Sequence, residues 1–320
     1  MTDLRRPASS LLSSLDEALD LLKDYKLPQD AVQINEPLPN LLEQCERLLA
    51  ISEAVTPEPV RTVHHFACTG GTLIAKCISA LPNTVLLSEI DPLSAFYKDV
   101  DKKKYSPSDI IFHVRNSLRN IDDDVIVDMF VASISNLHDN LKKIGKRLVI
   151  RDHTHSHYCS MESPESRPTL QNILKYKMPA LSLVTVRHPV DSYLSLISNK
   201  WKHFSPFNIE EYSRRYMLFL DDYSEVPIVH YEDFVKAPEP VMENICSILG
   251  LPYTADVFDL LDMVVLSGDS GRSSNVIAVR PRREVPESIR IETLDSPTYN
   301  NLCKRLCYNP DVDAEVGKIT

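Results

Sequence analysis

Residues 68–72, Cys-Thr-Gly-Gly-Thr, constrain the fold of this chain more than any other segment. They separate an apolar run, residues 62–67, from a run with helical spacing, residues 72–80. Two adjacent glycines allow the chain to turn sharply between the two runs. The order predicts a strand, a tight turn and a helix that begins with unpaired N–H groups at its positive end. Such a turn favours anion binding, although without a Walker lysine the glycines alone do not specify a phosphate site.

Composition narrows the class of protein. The chain has 320 residues, 43% of them hydrophobic, which is enough for a large core. Its net charge of −10 argues against a general nucleic-acid-binding surface. The seven cysteines include no CxxC pair, which indicates a reducing compartment. No segment approaches the roughly 20 apolar residues of a membrane span. These features favour a cytoplasmic enzyme without nucleic-acid or membrane partners, and they leave the oligomeric state open.

Apolar runs alternate along the chain between the two periodicities of regular secondary structure. The strand-like runs are residues 62–67, 84–88, 147–151, 182–186 and 227–231. The helix-like runs are residues 72–80, 106–120, 122–146, 190–197, 238–249 and 254–264. This alternation predicts an α/β fold with a mostly parallel sheet flanked by helices. The expected core residues are Val63, Phe66, Ile74, Ile78, Val149, Leu183, Val184, Val229 and Ile248.

The first part of the chain has a different pattern. Leucines recur at helical spacing within residues 10–24, and a similar pattern returns in residues 41–52. We therefore predict a helical N-terminal extension over residues 1–58, followed by an α/β domain over residues 59–320.

A second segment adds positive charge to the predicted site. Arg187 directly follows the apolar run 182–186, and Pro189 suits the first turn of a helix. Ser195 falls two turns into that helix. An arginine and a serine in these positions can hold one phosphate group from two sides.

The order of these segments resembles the nucleotide-binding pattern of sulfotransferases that use 3′-phosphoadenosine 5′-phosphosulfate (PAPS). Residues 229–234 and 245–252 resemble a strand–helix unit of that family, and residues 267–274 resemble its late basic loop. The resemblance runs from about residue 61 to residue 283. It implies a P-loop nucleotide-kinase-like fold and transfer of a sulfuryl group from PAPS to a hydroxyl or amine, with 3′-phosphoadenosine 5′-phosphate (PAP) as the product. The acceptor, a small molecule or a carbohydrate, has no signature in the sequence.

The resemblance also implies which residues bind the nucleotide. The 5′-phosphosulfate would meet the glycine turn, whereas the 3′-phosphate would meet Arg187, Ser195 and Arg272. The full implied set is Cys68, Thr69, Gly70, Gly71, Thr72, Leu73, Arg187, Ser195, Tyr231, Gly271, Arg272 and Ser273. Cys68 departs from the family pattern, because better-known members carry a lysine at that position. Backbone N–H groups together with Arg151, Lys76 or an arginine of the basic loop would have to supply the missing charge.

The catalytic base is expected near residue 153. Residues 147–153 resemble the family strand that ends at a catalytic histidine, which implies His153 as the base. His155 and His157 remain alternative bases, and the predicted catalytic set is His153, Arg151 and His155. In an extended chain, alternate positions share one face, so Arg151, His153, His155 and His157 would point the same way. We predict no metal site.

Three alternatives remain open. The missing lysine allows a degenerate sulfotransferase fold that binds a nucleotide or a partner without turnover. The His-x-His pattern of His155 and His157 is also typical of metallo-hydrolases. A nucleotide kinase would share the architecture.

Overall fold

The computed structural model describes residues 57–97, 108–115, 117–266 and 277–314, with isolated positions Asp20, Asn40, Glu43 and Gln44. The chain divides into two units, Met1–Thr56 and Pro57–Thr320. The helical extension over residues 1–58 falls almost wholly outside the described residues and stays a prediction.

One sheet of five parallel strands forms the centre of the second unit, in the order β2-β3-β1-β4-β5. The strands are β1 (Val60–His65), β2 (Thr84–Ile90), β3 (Arg147–Asp152), β4 (Ala180–Val186) and β5 (Ile228–His230). The central strand β1 is buried along its whole length, as expected for a parallel sheet covered on both faces.

Helices cover both faces of this sheet. In the described residues they are α1 (Gly71–Ala80), α2 (Ile110–Arg115), α3 (Asp123–Lys143), α4 (Thr154–Tyr158), α5 (Leu170–Lys175), α6 (Pro189–Ser198), α7 (Ile209–Asp222), α8 (Tyr231–Lys236), α9 (Pro238–Leu249), α10 (Glu287–Asp295) and α11 (Pro297–Arg305). Val149 in β3 packs in one hydrophobic cluster with α1 and α9. Its neighbours Leu148 and Ile150 pack on the opposite face with α3 and α5. The predicted α/β class with a parallel sheet is confirmed.

Most of the expected core is found in place, and some predicted elements differ. Eight of the nine expected core residues are buried, and Ile248 is partly buried against the same cluster as Val63. The helix predicted over 106–120 is helical only at Ile110–Arg115 within its described part. The helix predicted over 254–264 is wrong, because two short 3-10 turns, Ala255–Phe258 and Leu261–Met263, take its place.

Helix α7 was not predicted from the sequence. It packs against the residues that precede the glycine turn. The Asn208 side chain caps its first turn by accepting from the Glu211 N–H at 2.9 Å. Its buried aromatic residues recur at helical spacing. The Tyr216 ring stacks on Phe66, the first residue after β1, with 4.4 Å between ring centres. Within the described ranges, no helix combines the length and the hydropathy that crossing a bilayer requires.

Candidate functional site

The candidate site lies along the carboxyl edge of the sheet, where every strand contributes a residue. Residues 68–72 follow β1, Glu89 stands near the end of β2, and His153 follows β3. Arg187 follows β4, and Tyr231 follows β5. Open α/β sheets bind their ligands at this edge, because loops and helix N-termini converge there.

Both glycines of the turn are required by neighbouring side chains. Gly70 has φ +84°, and a Cβ atom there would lie 2.1 Å from the Tyr231 ring. A Cβ atom on Gly71 would lie 2.4 Å from the ring of His65. The turn therefore leaves no room for larger residues, and its backbone approaches two rings closely.

Hydrogen bonds within the turn leave two N–H groups for a ligand. The Thr69 hydroxyl donates to the Phe66 carbonyl at 2.8 Å, so this buried side chain is used by the turn itself. The Leu73 N–H donates to the Gly70 carbonyl at 3.1 Å. The N–H groups of Gly71 and Thr72, the first two residues of α1, have no acceptor inside the helix.

The second part of the predicted clamp lies beside the first. The Arg187 guanidinium carbon is 5.0 Å from the centre of the Tyr231 ring, which also packs against Gly70. One Arg187 nitrogen is 3.5 Å from the Ser195 hydroxyl. The Ser195 hydroxyl in turn donates to the Asp191 carbonyl at 2.9 Å. Gly70, Tyr231, Arg187 and Ser195 are thus brought together, as the sequence pattern requires.

An ion pair holds the chain in place downstream of the basic loop. The sequence analysis did not predict it. The Arg282 guanidinium donates to the Asp191 carboxylate at 3.1 Å and to the Val312 carbonyl at 2.6 Å. It ties residues 277–283 to α6 and to the C-terminal segment. Gly271, Arg272 and Ser273, the implied residues of the basic loop itself, lie outside the described residues.

Arg151 stands next to the start of α1. Its guanidinium donates to the Thr72 hydroxyl at 2.9 Å and pairs with Glu89 at 2.6 Å. It also lies 3.1 Å from His65 Nε2. Burial first, and then the positive charge of Arg151, hold the pKa of His65 well below its ordinary value. A neutral His65 can accept from Arg151, so this network places one cation beside the N-terminus of α1.

Glu89 was missed by the sequence analysis. It is a non-glycine residue with φ +59°, at an irregularity in the pairing of β2 with β3. Its carboxylate pairs with Arg151 and has its second oxygen 3.5 Å from His153 Nε2. Burial raises the pKa of Glu89. An acidic residue within the apolar run of β2 was the signal that could have identified it.

The predicted common face of the histidines is wrong, because Thr154–Tyr158 forms one turn of helix instead of extended chain. The His157 ring donates through Nε2 to the Pro164 carbonyl at 2.8 Å. The His155 ring instead lies 4.9 Å from the ring of Trp201. In the part of the chain that the structure describes, no three His, Cys, Asp or Glu side chains are grouped to hold a metal ion.

With this geometry in view, the comparisons with known proteins identify the family. The family model described as the sulfotransferase family matches residues 68–255 of this chain. The chain belongs to the sulfotransferase family. Comparison with curated protein sequences gives no match.

Several solved structures of distantly similar proteins are also sulfotransferases. A sulfotransferase domain from the curacin biosynthetic pathway is 15% identical, with 79% of this chain and 99% of that one covered and a TM-score of 0.48. A sulfotransferase from Alicyclobacillus acidocaldarius is 16% identical, with coverages of 79% and 98% and a TM-score of 0.41. A mouse sulfotransferase complexed with PAP is 14% identical, with coverages of 78% and 83% and a TM-score of 0.35.

The Cys68 thiol lies at the first residue of the glycine turn. Burial raises the pKa of its thiol to about 12, although the positive charges of Arg187 and Arg283 act in the opposite direction. The Asn199 amide donates to its sulfur at 3.7 Å. The thiol is therefore neutral and adds no negative charge beside the turn.

This protonation state predicts low thiol reactivity in the folded sulfotransferase. At pH 8 a thiol with a pKa of about 12 is ionised in only about one molecule in ten thousand. We expect iodoacetamide to modify the exposed Cys307 well before Cys68, as measured by peptide mass spectrometry. In urea, Cys68 should react readily. Equal rates at the two positions in the folded protein would contradict the assignment of a partly buried, neutral thiol.

Proposed function

We propose that this sulfotransferase transfers the sulfuryl group of PAPS to a hydroxyl or amine of a small-molecule or carbohydrate acceptor in the cytoplasm, with PAP as the product. One observation above all supports a donor with two separate anionic groups. The partly buried Arg187 has no carboxylate within ion-pair distance in the described residues, yet it lies against the ring that packs on Gly70. A partly desolvated cation that no carboxylate contacts favours an anionic ligand.

The residues present fit such a nucleotide. Gly70 and Gly71 bring the backbone of the turn close to the Tyr231 and His65 rings, and the N–H groups at the start of α1 are available for one anionic group. Arg187 and Ser195 suit a second, separate phosphate. When bound, PAPS supplies a sulfuryl group attached to a phosphate leaving group.

The side chains at the ends of β2 and β3 suit the proton transfer. In this proposal His153 accepts the proton that the acceptor hydroxyl loses as its oxygen bonds to sulfur. Glu89, 3.5 Å from His153 Nε2, stabilises the resulting imidazolium. Arg151, bonded to the Thr72 hydroxyl, brings the positive charge that the lysine supplies in relatives. His155 belongs to the surroundings of the acceptor instead.

The donor assignment is tested with Arg187→Ala. This change removes a charge-assisted contact, so PAP binding should weaken by about 1.5–3 kcal/mol, or about 10- to 150-fold, in isothermal titration calorimetry. Arg214→Ala is the matched control, because Arg214 is an exposed arginine on α7 that pairs with Glu211. It should bind PAP like the parent protein. Equal PAP affinity in the two variants would rule out the clamp.

Turnover is tested separately with labelled PAPS and a panel of acceptors. Transfer of label to any acceptor supports the enzyme. PAP binding without transfer to any of them would instead favour the degenerate, binding-only alternative, and equal competition by ATP would favour a nucleotide kinase.

A further inference from the structure

We infer that the acceptor presents a phenolic hydroxyl, bound by a ring cluster that consists of Phe96, His155, Trp201 and His203. The inference rests on the proposed sulfuryl transfer, because it takes His153 as the base that the acceptor must reach. It identifies the chemical class of the acceptor, which the motifs of the sequence leave open.

The four side chains of the ring cluster come from three separate segments. Phe96 packs edge-on against His155, with 5.3 Å between ring centres and an angle of 90°. His203 lies 5.0 Å from Phe96 and 5.7 Å from His155. Trp201 adds a fourth ring 4.9 Å from His155. Phe96 and Trp201 are only partly buried, and His203 is exposed, so the cluster is open to solvent on one side.

The cluster adjoins the proposed base. The His153 ring centre lies 5.8 Å from Phe96 and 6.3 Å from His155. A ligand ring packed on Phe96 would therefore carry a substituent within reach of His153, at the edge of the sheet where the glycine turn begins α1. Neither Phe96 nor Trp201 belongs to the nucleotide-binding motifs, so both are available to the acceptor.

The chemistry of the cluster favours a flat apolar ligand. Ring edges and faces attract aromatic ligands in offset or edge-to-face arrangements. A sugar would need several directional polar partners, whereas the cluster offers few. Exposed Lys200 and Lys202 flank Trp201 and disfavour a cationic ligand, which would otherwise suit a group of aromatic rings.

One polar atom inside the cluster lacks a hydrogen-bond partner that a hydroxyl could supply. His155 Nε2 is enclosed and has no hydrogen-bond partner among the described residues. Burial lowers the pKa of His155 to about 3, so the ring is neutral and presents one donor and one acceptor nitrogen. A hydroxyl both donates and accepts, so it can satisfy Nε2 in either tautomer. An unpartnered buried polar atom costs stability, and a bound hydroxyl removes that cost.

A phenol also suits the proposed base. The pKa of a phenolic hydroxyl is about 10, which is much closer to the pKa of imidazole than the pKa of an aliphatic alcohol is. Proton transfer from a phenol to His153 is correspondingly easier. Packing and proton chemistry thus favour the same class of acceptor.

Trp201, the only tryptophan of the chain, reports binding without turnover. Its fluorescence is titrated in the PAP complex with 4-methylphenol and with 4-methylcyclohexanol, which share size and hydroxyl but differ in the ring. We expect the phenol to bind about five- to tenfold more tightly, because only it makes aromatic contacts. Equal affinity, or tighter binding of the saturated alcohol, overturns the inference.

Two variants and a second ligand sharpen this test. Phe96→Leu keeps bulk but removes a ring, so the preference for the phenol should fall toward unity. Tyr176→Leu, an exposed ring elsewhere, should leave the preference unchanged. N-acetyltyrosine amide distinguishes the source of the phenol. Equal binding of this amide indicates recognition of the ring alone, and much tighter binding indicates a tyrosine within a peptide.

Failure of the inference and failure of the proposed function give different results. Transfer from PAPS to sugars, with no phenol preference in the fluorescence titration, retains the sulfotransferase proposal and overturns the phenol. A clear phenol preference without transfer from PAPS under any condition supports the ring cluster as a binding site and counts against the proposed turnover.

Discussion

His153→Ala is expected to lower the rate of sulfuryl transfer by about 10²- to 10⁴-fold, the usual contribution of a general base. PAP affinity should stay nearly unchanged, because in the proposed site Arg187 and the glycine turn bind the nucleotide and His153 does not. The initial rate with labelled PAPS and calorimetric titration with PAP measure the two effects separately. The combination of lost rate and retained binding is what distinguishes a base from a residue that supports the fold.

Two further variants make this result specific. His113→Ala removes an exposed imidazole of α2 that makes none of the contacts described for the site, and it should keep the parent rate. Glu89→Gln keeps the shape of the neighbouring side chain but removes its charge, so it should slow transfer less than His153→Ala does. If Glu89→Gln abolishes transfer while His153→Ala stays active, Glu89 takes the proton and the roles given to the pair are wrong.

Gly70→Ala should produce the largest loss of stability among single substitutions at the site. Its backbone has φ +84°, a left-handed conformation that costs an alanine about 1–2 kcal/mol. The added Cβ would also lie 2.1 Å from the Tyr231 ring, and overpacking of this kind costs about a further 1–3 kcal/mol. We therefore expect the free energy of unfolding in urea to fall by about 2–5 kcal/mol.

Gly145→Ala is the matched control for this substitution. Gly145 also has positive φ, +70°, but a Cβ atom there would meet nothing within 4 Å. It should lose only the backbone component. In a double-mutant cycle, Tyr231→Ala should remove most of the additional loss caused by Gly70→Ala. Equal losses at Gly70 and Gly145 would contradict the close contact between the turn and Tyr231.

The glycine turn and Arg187 could be predicted because their signals are local. Adjacent glycines between a strand-like and a helix-like run require a turn whatever surrounds it. An arginine that directly follows a strand lies near the carboxyl edge of a parallel sheet. Its proximity to the glycine turn therefore follows from the alternation of strands and helices. The roles given to the nucleotide-binding residues, and the extension over residues 1–58, stay predictions.

Local sequence pattern predicts the wrong conformation where contacts distant in sequence decide it. Residues 153–157 alternate in a manner that suits extended chain, yet they form a helical turn between β3 and the core. Tyr158 at the end of that turn packs on Phe66 and Phe219 and donates to Asp222. The gain from burying this tyrosine outweighs the weak local preference of the five polar residues 153–157.

The sequence by itself determined the parallel α/β architecture, the tight glycine turn and the order of the motifs, because periodicity, glycine geometry and charge at strand ends act over a few residues. Only the tertiary structure decided that Glu89 joins Arg151 to His153 and that Phe96, His155, Trp201 and His203 form one cluster. These contacts join segments separated by tens of residues, and they depend on strand order and side-chain packing, which no short stretch of sequence specifies.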